Sequence, residues 1–575
     1  MTTLPFVAED ATYRPDRYYR YAELTAILEA WVEAHPRLAS LQSIGKTYEG
    51  REIWCVTITN ADSGPHQEKP AHMIDGNIHA GEVTGSAACL ETIHRLLTGY
   101  GHDPLVTRLL DERTFYILPR ISADGAERYL SGPEATRSSV RPYPHAEPQP
   151  GLRPEDLDGD GWITLMRVSD PAGPWKVSPQ DPRLMVRRSP DEAGGTYYWL
   201  LPEGMIADYD PERDGPLGEI KVAPRLSGLD LNRNFPIDWE PEALTPGAGP
   251  YPLSEPETRA IAEFMLAHPN IAGSQHYHTF SAVILRPSSR RPDADLPAAD
   301  LAAYKALGAI GLEETGYRCI SLYEEFTPDK KKRYAGMMID WCYDHLGLVS
   351  YSTELWSVAK HLGLPADDPI EYYFGKTRDE ADDLTLLRWV DTELGGFGFK
   401  PWTPFDHPQL GPVEIGGWQT KFVFQNPPGS CLEAISKANA TFTLRAAAAG
   451  PKLRLRELSA TALGEGLYRV QAVVENDGFL GTAVTERAAA MKAAGPVKVA
   501  IAGAATVIGD REIDLGHLPG RAAQYEPLAV FPTYGVPTRR KVEWVVSAPA
   551  GATVTVTASA DRAGVARGRV SLKDL

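Results

Sequence analysis

The sequence predicts an α/β layered sheet followed by a small all-β sandwich, and three observations predict it. Across residues 41–314, apolar runs of strand length alternate with segments of helical periodicity, the order that builds a sheet covered by helices. Residues 132–226 break this rhythm with proline, glycine and charge over a length too great for a simple loop, and read as an elaborated insertion. From about residue 453 the pattern changes to short alternating strands separated by turn residues. The expected organisation is therefore a larger unit at 1–450, with its insertion, and a β-sandwich accessory domain at 451–575.

Bulk composition agrees with this division. A chain of 575 residues exceeds one ordinary core, and 43% apolar with 23% charged residues is the make-up of a soluble globular protein. Lys+Arg 58 against Asp+Glu 76 leaves a formal charge of −18, which repels nucleic acid and anionic membranes and argues against either as a partner. Cys55, Cys89, Cys319, Cys342 and Cys431 are scattered, with no C-x-x-C pair, so neither a disulfide framework nor a thiolate metal site is indicated. Residues 1–10 carry no basic region followed by an apolar one, and no stretch approaches a membrane span. A cytoplasmic location is the expectation by default, and a secreted one if a signal precedes this sequence.

In chain order, residues 21–38 repeat Leu24, Ile27, Leu28, Trp31 and Val32 at helical spacing, a surface helix packed by one face. Residues 41–58 read as two strands around Glu49-Gly50. Met73-Ile74 is a strand that enters a helix at 86–97 through Asp75-Gly-Asn-Ile-His79-Ala-Gly-Glu82-Val-Thr-Gly85, where Gly76, Gly81 and Gly85 permit a tight corner. Residues 114–118 are a buried strand, 257–267 and 298–314 are helices, 271–285 and 349–355 are strands, and 431–448 is amphipathic. The sandwich strands are read at 468–475, 497–501, 541–546 and 552–559.

The chemistry begins in the glycine-rich corner. His79-x-x-Glu82 can turn an imidazole and a carboxylate toward one point, half of a hydrolytic zinc site. A second pair, His276 and His278, faces one side of a strand, so spacing alone does not choose between them. Asp230-Leu-Asn232-Arg233-Asn234 sets an amide beside a guanidinium, a good clamp for a planar carboxylate. Asp340-Trp341 precedes Val349-Ser-Tyr-Ser-Thr-Glu354-Leu, whose one acid lies in an otherwise apolar and hydroxyl run.

In this order the motifs resemble those of the zinc metallocarboxypeptidase family of the carboxypeptidase A type, including its bacterial members, over roughly residues 15–445. The family's H-x-x-E is matched by His79 and Glu82, and its third-ligand run by His278-Thr-Phe-Ser-Ala-Val-Ile-Leu-Arg-Pro287, which selects His278. D-x-N-R-N is matched by Asp230–Asn234, and Asp-Trp with a catalytic Glu fourteen residues after the Asp by Asp340-Trp341 and Glu354. A weaker Asn-Pro-Asp-Gly signature stands altered as Ser122-Ala-Asp124-Gly125. The resemblance implies a mixed eight-stranded sheet flanked by helices and one zinc ion on His79, Glu82 and His278. It also implies hydrolysis of C-terminal peptide bonds of peptides or proteins by a zinc-activated water, with Glu354 as general base. Asp230 would orient His79, while Asn232 and Arg233 would grip the terminal carboxylate.

The sequence also departs from the family. Where a tyrosine is usual, eight residues before Asp340, it has Lys332; Tyr334 is the expected substitute. The arginine that polarises the carbonyl should lie between Asp124-Gly125 and Asn232-Arg233; Arg167 is the candidate, with Arg225 and Arg188 as rivals. Ile339, at the specificity position, carries no acid and so does not favour C-terminal Lys or Arg. Arg290 and Arg291 follow the third-ligand strand, either as selectors of acidic residues or as surface charges, and 330–333 reads as a basic exposed loop.

A second metal signal lies in the insertion. Asp156, Asp158, Asp160, Gly161 and Ile163 follow a calcium-loop pattern, but position 12 is Arg167, so another carboxylate such as Asp170 would have to complete it. The same residues suit an Asx-rich turn. Two other functions remain open: a zinc amidase or deacylase acting on peptidoglycan peptides or acyl-amino acids, and a peptide-binding protein that keeps the cleft without the activity. Glu354 argues against the latter, since binding needs no base. The partner of the β-sandwich is not indicated.

Overall fold

The computed structural model describes residues 6–210, 217, 220–327, 334–366, 368–374, 379–503, 505–523 and 537–573. Its centre is an eight-stranded mixed sheet, whose strands in chain order are β1 (Ala39–Lys46), β2 (Glu52–Ile58), β3 (Ala71–Gly76), β4 (Thr114–Leu118), β5 (Ile271–Thr279), β6 (Val283–Arg286), β7 (Arg318–Ser321) and β8 (Val349–Leu355). They lie in the order β1-β2-β4-β3-β5-β8-β6-β7. The central four, β4, β3, β5 and β8, are parallel, so their C-terminal ends share one edge.

Alternation along each strand divides its side chains between two apolar layers. Val56, Ile58, Ile74, Phe115 and Ile117 face the helices Tyr21–Ala34, Thr84–Gly99, Ala298–Thr315 and Gly429–Ala448. Cys55, Met73, Tyr116 and Leu118 face Pro256–Ala267 and Met338–Asp344. Burial on both sides explains why these strands read as continuous apolar runs.

Two elements differ from the sequence expectation. The strand expected at 271–285 is two strands: Ser281 and Ala282 take positive φ, and the chain crosses from one side of β8 to the other. An unbroken apolar run conceals that turn. The insertion is also not self-contained. Leu165–Ser169, Trp175–Val177, Met185–Arg187 and Tyr198–Pro202 form a six-stranded antiparallel sheet with Phe399–His407 and Gly411–Trp418. Pro401 and Pro404 in that edge strand disguise it as loop.

The C-terminal strands form two four-stranded antiparallel sheets, Leu453–Gly464, Leu467–Asn476, Arg539–Ser547 and Thr506–Ile508 against Glu512–Asp514, Lys498–Gly503, Thr553–Ala560 and Gly564–Ser571. Val470, Val499, Trp544 and Val556 lie in the core between them. Among the described residues no helix is long and apolar enough to cross a membrane.

Candidate metal centre

The centre lies at the common C-terminal edge of β3, β5 and β8. After β3 the chain turns through Asn77, whose φ of 64° is left-handed and whose amide donates to the carbonyls of His79 (2.7 Å) and Ala80 (3.0 Å). Gly76 is obligatory, because a Cβ there would come within 2.5 Å of the Gly85 backbone. Glu82 therefore falls just ahead of the helix Thr84–Gly99, whose N-terminal partial charge favours a carboxylate. His278 sits next to the end of β5, in register with Glu354 on β8.

Three donors converge. His79 Nδ1 is 2.9 Å from Glu82 Oε1, His278 Nδ1 is 3.0 Å from Glu82 Oε2, and the two Nδ1 atoms are 3.1 Å apart. A tetrahedral zinc with bonds of about 2.0–2.2 Å needs donors roughly 3.3 Å apart, so the spacing of these three side chains suits the ion. The proton balance points the same way. His79 Nε2 meets Asp230 Oδ1 at 3.0 Å, which favours the ring N–H at Nε2 and would turn the Nδ1 lone pair toward an ion.

Burial and Arg137 drive the His79 imidazole toward neutrality, but Glu82 and Asp230 outweigh them and its pKa stands raised. Against the cost of burial, the two histidines keep Glu82 far below the carboxylate range, and Arg137, Arg233 and His79 do the same for Asp230. Burial lowers His278. A centre that draws a proton between its donors is one that a dication fits. His276, one pleat deeper, is bound to Asp75 at 2.5 Å and to Ser350 at 3.0 Å, and takes no part in the triangle.

Among the described residues no donor meets the Glu354 carboxylate. Burial first, and then the Glu82 charge, raise its pKa well above the ordinary value, with Arg137 opposing. Asn232 is buried, and its Oδ1 accepts the Met338 N–H at 2.8 Å, which leaves the amide N–H₂ as its available end. The Arg233 guanidinium stacks on Tyr334 at 4.8 Å, with its Nη1 on the Asn232 carbonyl. Ile339 is 1% exposed among Val283, Leu285, Ile320 and Met337. Lys332 and the basic run 330–333 lie outside the described residues.

Arg167 is not at this centre. Its guanidinium forks onto Glu414 at 2.8 and 3.0 Å in the six-stranded sheet and packs against Tyr198 and Trp402. Arg188 is likewise held elsewhere, on the Glu192 carbonyl and the Tyr197 ring. The arginine that is present is Arg137, which sequence reasoning missed. It donates to Asp230 Oδ2 at 3.1 Å and to Glu82 Oε1 at 3.3 Å, and its field reaches Glu354. Its backbone is tied in as well: the Arg137 carbonyl accepts Ala80 N–H at 2.7 Å, and Gly125 has no Cβ to collide with Ser138. The available signal was position, since Arg137 follows Asp124-Gly125 by only twelve residues, near the start of the insertion, whereas Arg167 lies deep within it.

Arg290 and Arg291 are surface partners rather than selectors, bound to Glu240 (2.8 Å) and Asp344 (2.5 Å). In the acidic loop, Asp156 accepts the N–H groups of Gly159, Asp160 and Gly161 as an Asx turn does. Lys400 Nζ lies 2.5 Å from Asp158 and 2.6 Å from Asp160. The carboxylate that joins Asp156 and Asp158 is Glu203, not Asp170, which caps Ala172 instead.

The model of the zinc carboxypeptidase family matches residues 24–378, more than half of the sequence. The chain belongs to the zinc carboxypeptidase family. A second model, described only as a domain of unknown function, matches residues 452–571. A zinc carboxypeptidase of Saccharothrix mutabilis subsp. capreolus is 31% identical over 110 residues, 19% of this chain and 25% of that protein. Mast cell carboxypeptidase A of Mus musculus is 22% identical over 335 residues, 57% of this chain and 60% of that protein. The matches thus span a quarter to three-fifths of these zinc carboxypeptidase relatives. Among solved structures, thrombin activatable fibrinolysis inhibitor aligns with a TM-score of 0.43 at 18% identity over 76% of each chain. Carboxypeptidase A from Helicoverpa armigera aligns with a TM-score of 0.42 at 15% identity, again over 76% of each.

Proposed function

We propose that this chain is a zinc-dependent metallocarboxypeptidase that hydrolyses the C-terminal bond of peptides or proteins. The observation that carries the reading is the convergence of His79, Glu82 and His278 beside Glu354, with Arg233 one short turn from Asp230. His79, Glu82 and His278 would hold the zinc, which would supply Lewis-acid charge for the hydrolysis. With zinc bound, Glu354 would take a proton from the attacking water and pass it to the leaving amine, a role served by its raised affinity for protons. Arg137 stabilises the charge that develops on the carbonyl oxygen. Asp230 holds the His79 proton at Nε2, so that Nδ1 stays a ligand. Asn232 and Arg233 grip the terminal carboxylate, with Tyr334 as the stacking platform of the guanidinium. The uncharged Ile339 favours an apolar residue at the C-terminus over Lys or Arg.

The deciding experiment is release of C-terminal amino acids from a mixed peptide library by the zinc-loaded protein and its Glu354→Gln variant. Zinc-dependent trimming that the variant loses is the expected result. No trimming by a protein holding one zinc per chain would sink the reading and turn the search to amidase substrates or to binding alone.

A calcium ion in the insertion is the finer part of this proposal. Asp156, Asp158 and Glu203 bring carboxylate oxygens within 4.8 Å of one another, an oxygen-rich set of the kind calcium takes. The Lys400 ammonium already neutralises Asp158 and Asp160, so calcium has to displace it and binds weakly. Calorimetric titration that shows no calcium uptake at millimolar concentration would leave the loop an Asx turn closed by Lys400.

A further inference from the structure

The chain segments that carry Arg137 and Asp230 also line a second cavity, of about 490 Å³, that no part of the mechanism above uses. Thr136 lines it immediately before Arg137, and Ser227 lines it three residues before Asp230. Lys421 closes another side at the start of the turn Lys421–Gln425, and the next residue, Asn426, donates to the Gly81 carbonyl between His79 and Glu82. The cavity is thus built from segments next in sequence to the residues around the ligands, and its Arg225 lies within electrostatic reach of Arg137.

Its lining inverts the charge of the molecule. In a chain of net charge −18, Arg153, Arg225 and Lys421 face this space against one carboxylate, Glu134. Arg128 also borders it but is bound to Glu49 at 2.8 Å. Arg153 is in strand register with Met205, and among the described residues no hydrogen bond or ion pair engages the guanidinium of Arg153 or Arg225. Lys421 donates to the Tyr129 and Gly132 carbonyls, and burial brings its ammonium pKa down to about 7, so the two arginines carry the fixed positive charge. Trp162 and Ile163 supply an apolar wall. Unpartnered guanidinium groups over an apolar floor suit a carboxylate on a short aliphatic stem.

Position fixes which part of a substrate arrives there. Ser227 is at the cavity, Asp230 holds His79, and Arg233 stacks on Tyr334 at the proposed terminal-carboxylate clamp. The segment 227–233 thus runs from cavity to metal centre to clamp. Three residues of extended chain reach at most about 10 Å, a span that on the proposed path from clamp to metal donors corresponds to two or three peptide residues on the amino side of the cleaved bond.

We propose that this cavity is a substrate subsite that receives an acidic side chain two or three residues on the amino side of the cleaved bond. This inference rests on the carboxypeptidase reading. It is tested with two measurements on the zinc-loaded full chain. In the first, peptides sharing one C-terminal residue carry Glu, Ala or Lys at those upstream positions, and kcat/KM is measured for the wild type and the Arg153→Ala/Arg225→Ala variant. The expected result is a preference for Glu over Lys of about tenfold or more, falling to about twofold in the variant while the Ala peptide is unaffected. Cleavage of all three peptides at equal rates, or a preference that the variant keeps, overturns the subsite. In the second, the Glu and Lys peptides are titrated calorimetrically into the Glu354→Gln protein with and without the two arginine substitutions. Tighter binding of the Glu peptide, lost with the arginines, supports the cavity even if no peptide is cleaved, which would instead count against the carboxypeptidase reading. Equal affinity for both peptides overturns the cavity whatever the cleavage result.

Discussion

Arg137→Ala tests the one functional side chain that the motifs do not contain. Its guanidinium bridges Asp230 and Glu82 at 3.0–3.3 Å, so its loss leaves two carboxylates without their shared cation. The side chain is 41% exposed, however, and solvent screens both pairs. The expected cost in stability is therefore about 1–2 kcal/mol rather than the 3–5 of a fully buried pair. The cost in turnover is larger, because a fixed donor aimed at a developing oxyanion contributes about 100- to 1,000-fold to kcat. Arg137→Lys keeps the charge but not the fork and should fall between. The assay is kcat and KM on a short peptide, with zinc content measured on the same samples. A variant that retains zinc and stays within fivefold of wild-type kcat would refute the role assigned here. A variant that loses zinc in proportion to activity would show instead that Arg137 acts only by holding Asp230 and Glu82.

Four further outcomes follow from the same coordinates. Arg233→Ala should raise KM by at least about tenfold with less effect on kcat, as expected of a residue that binds the terminal carboxylate equally before and during reaction; steady-state kinetics decide it. Chelation should lower the melting temperature reversibly, since an ion at 100–1,000 times its Kd contributes about 3–4 kcal/mol, and His278→Ala should show no such shift in a thermal scan. Burial pushes the Asp340 carboxyl up to about 6 from 3.8, so its contribution to stability is fully present below about 4 and is lost as pH rises through 6; against Asp340→Asn, urea unfolding of the wild type should lose about 2–3 kcal/mol more between pH 4 and 7. Arg562, 4% exposed, donates to the carbonyls of Leu346, Gly347, Ala483 and Ala493. Arg562→Met should cost about 2–4 kcal/mol in chemical unfolding and leave kcat/KM of the folded protein unchanged.

The metal donors were legible because local sequence decides them. His79 and Glu82 belong to one glycine-rich corner, and His278 and Glu354 stand near the ends of strands whose apolar character is plain. Arg137 was not legible, because one arginine among 58 basic residues acquires its role only when its carbonyl docks on Ala80. Arg167 attracted attention by lying in a well-marked strand, but what it faces, Glu414, is set by a pairing across more than two hundred residues. Lys400 was hidden for the same reason: the acidic loop reads as a cation site, and the cation that meets it comes from a strand with no local tie to it. The sheet and the helices were legible by periodicity, whereas the turn at Phe280–Ala282 was masked by apolar residues on both sides.

The arrangement of contacts also separates chemistry from support. The C-terminal sandwich meets the rest of the chain next to the N-terminal ends of the central strands. Arg567 pairs with Glu68 ahead of β3, Arg113 ahead of β4 donates to the carbonyls of Gly450 and Pro451, and Arg562 takes those of Leu346 and Gly347 ahead of β8. His79, Glu82, His278 and Glu354 all lie at or beyond the C-terminal ends of parallel strands, which is the opposite edge. Leu480 and Val484 join the same apolar cluster as Ile74 and Ile117, so the sandwich shares a core with the large sheet rather than hanging from a linker. The described contacts of the β unit therefore brace the strands at the edge opposite the metal donors. The six-stranded sheet of the insertion is on the other side of this division, because the segment that leads into it carries Arg137 and one wall of the basic cavity. The cavity proposed as a substrate subsite thus belongs to the insertion, whereas the contacts of the sandwich lie at the opposite edge of the sheet.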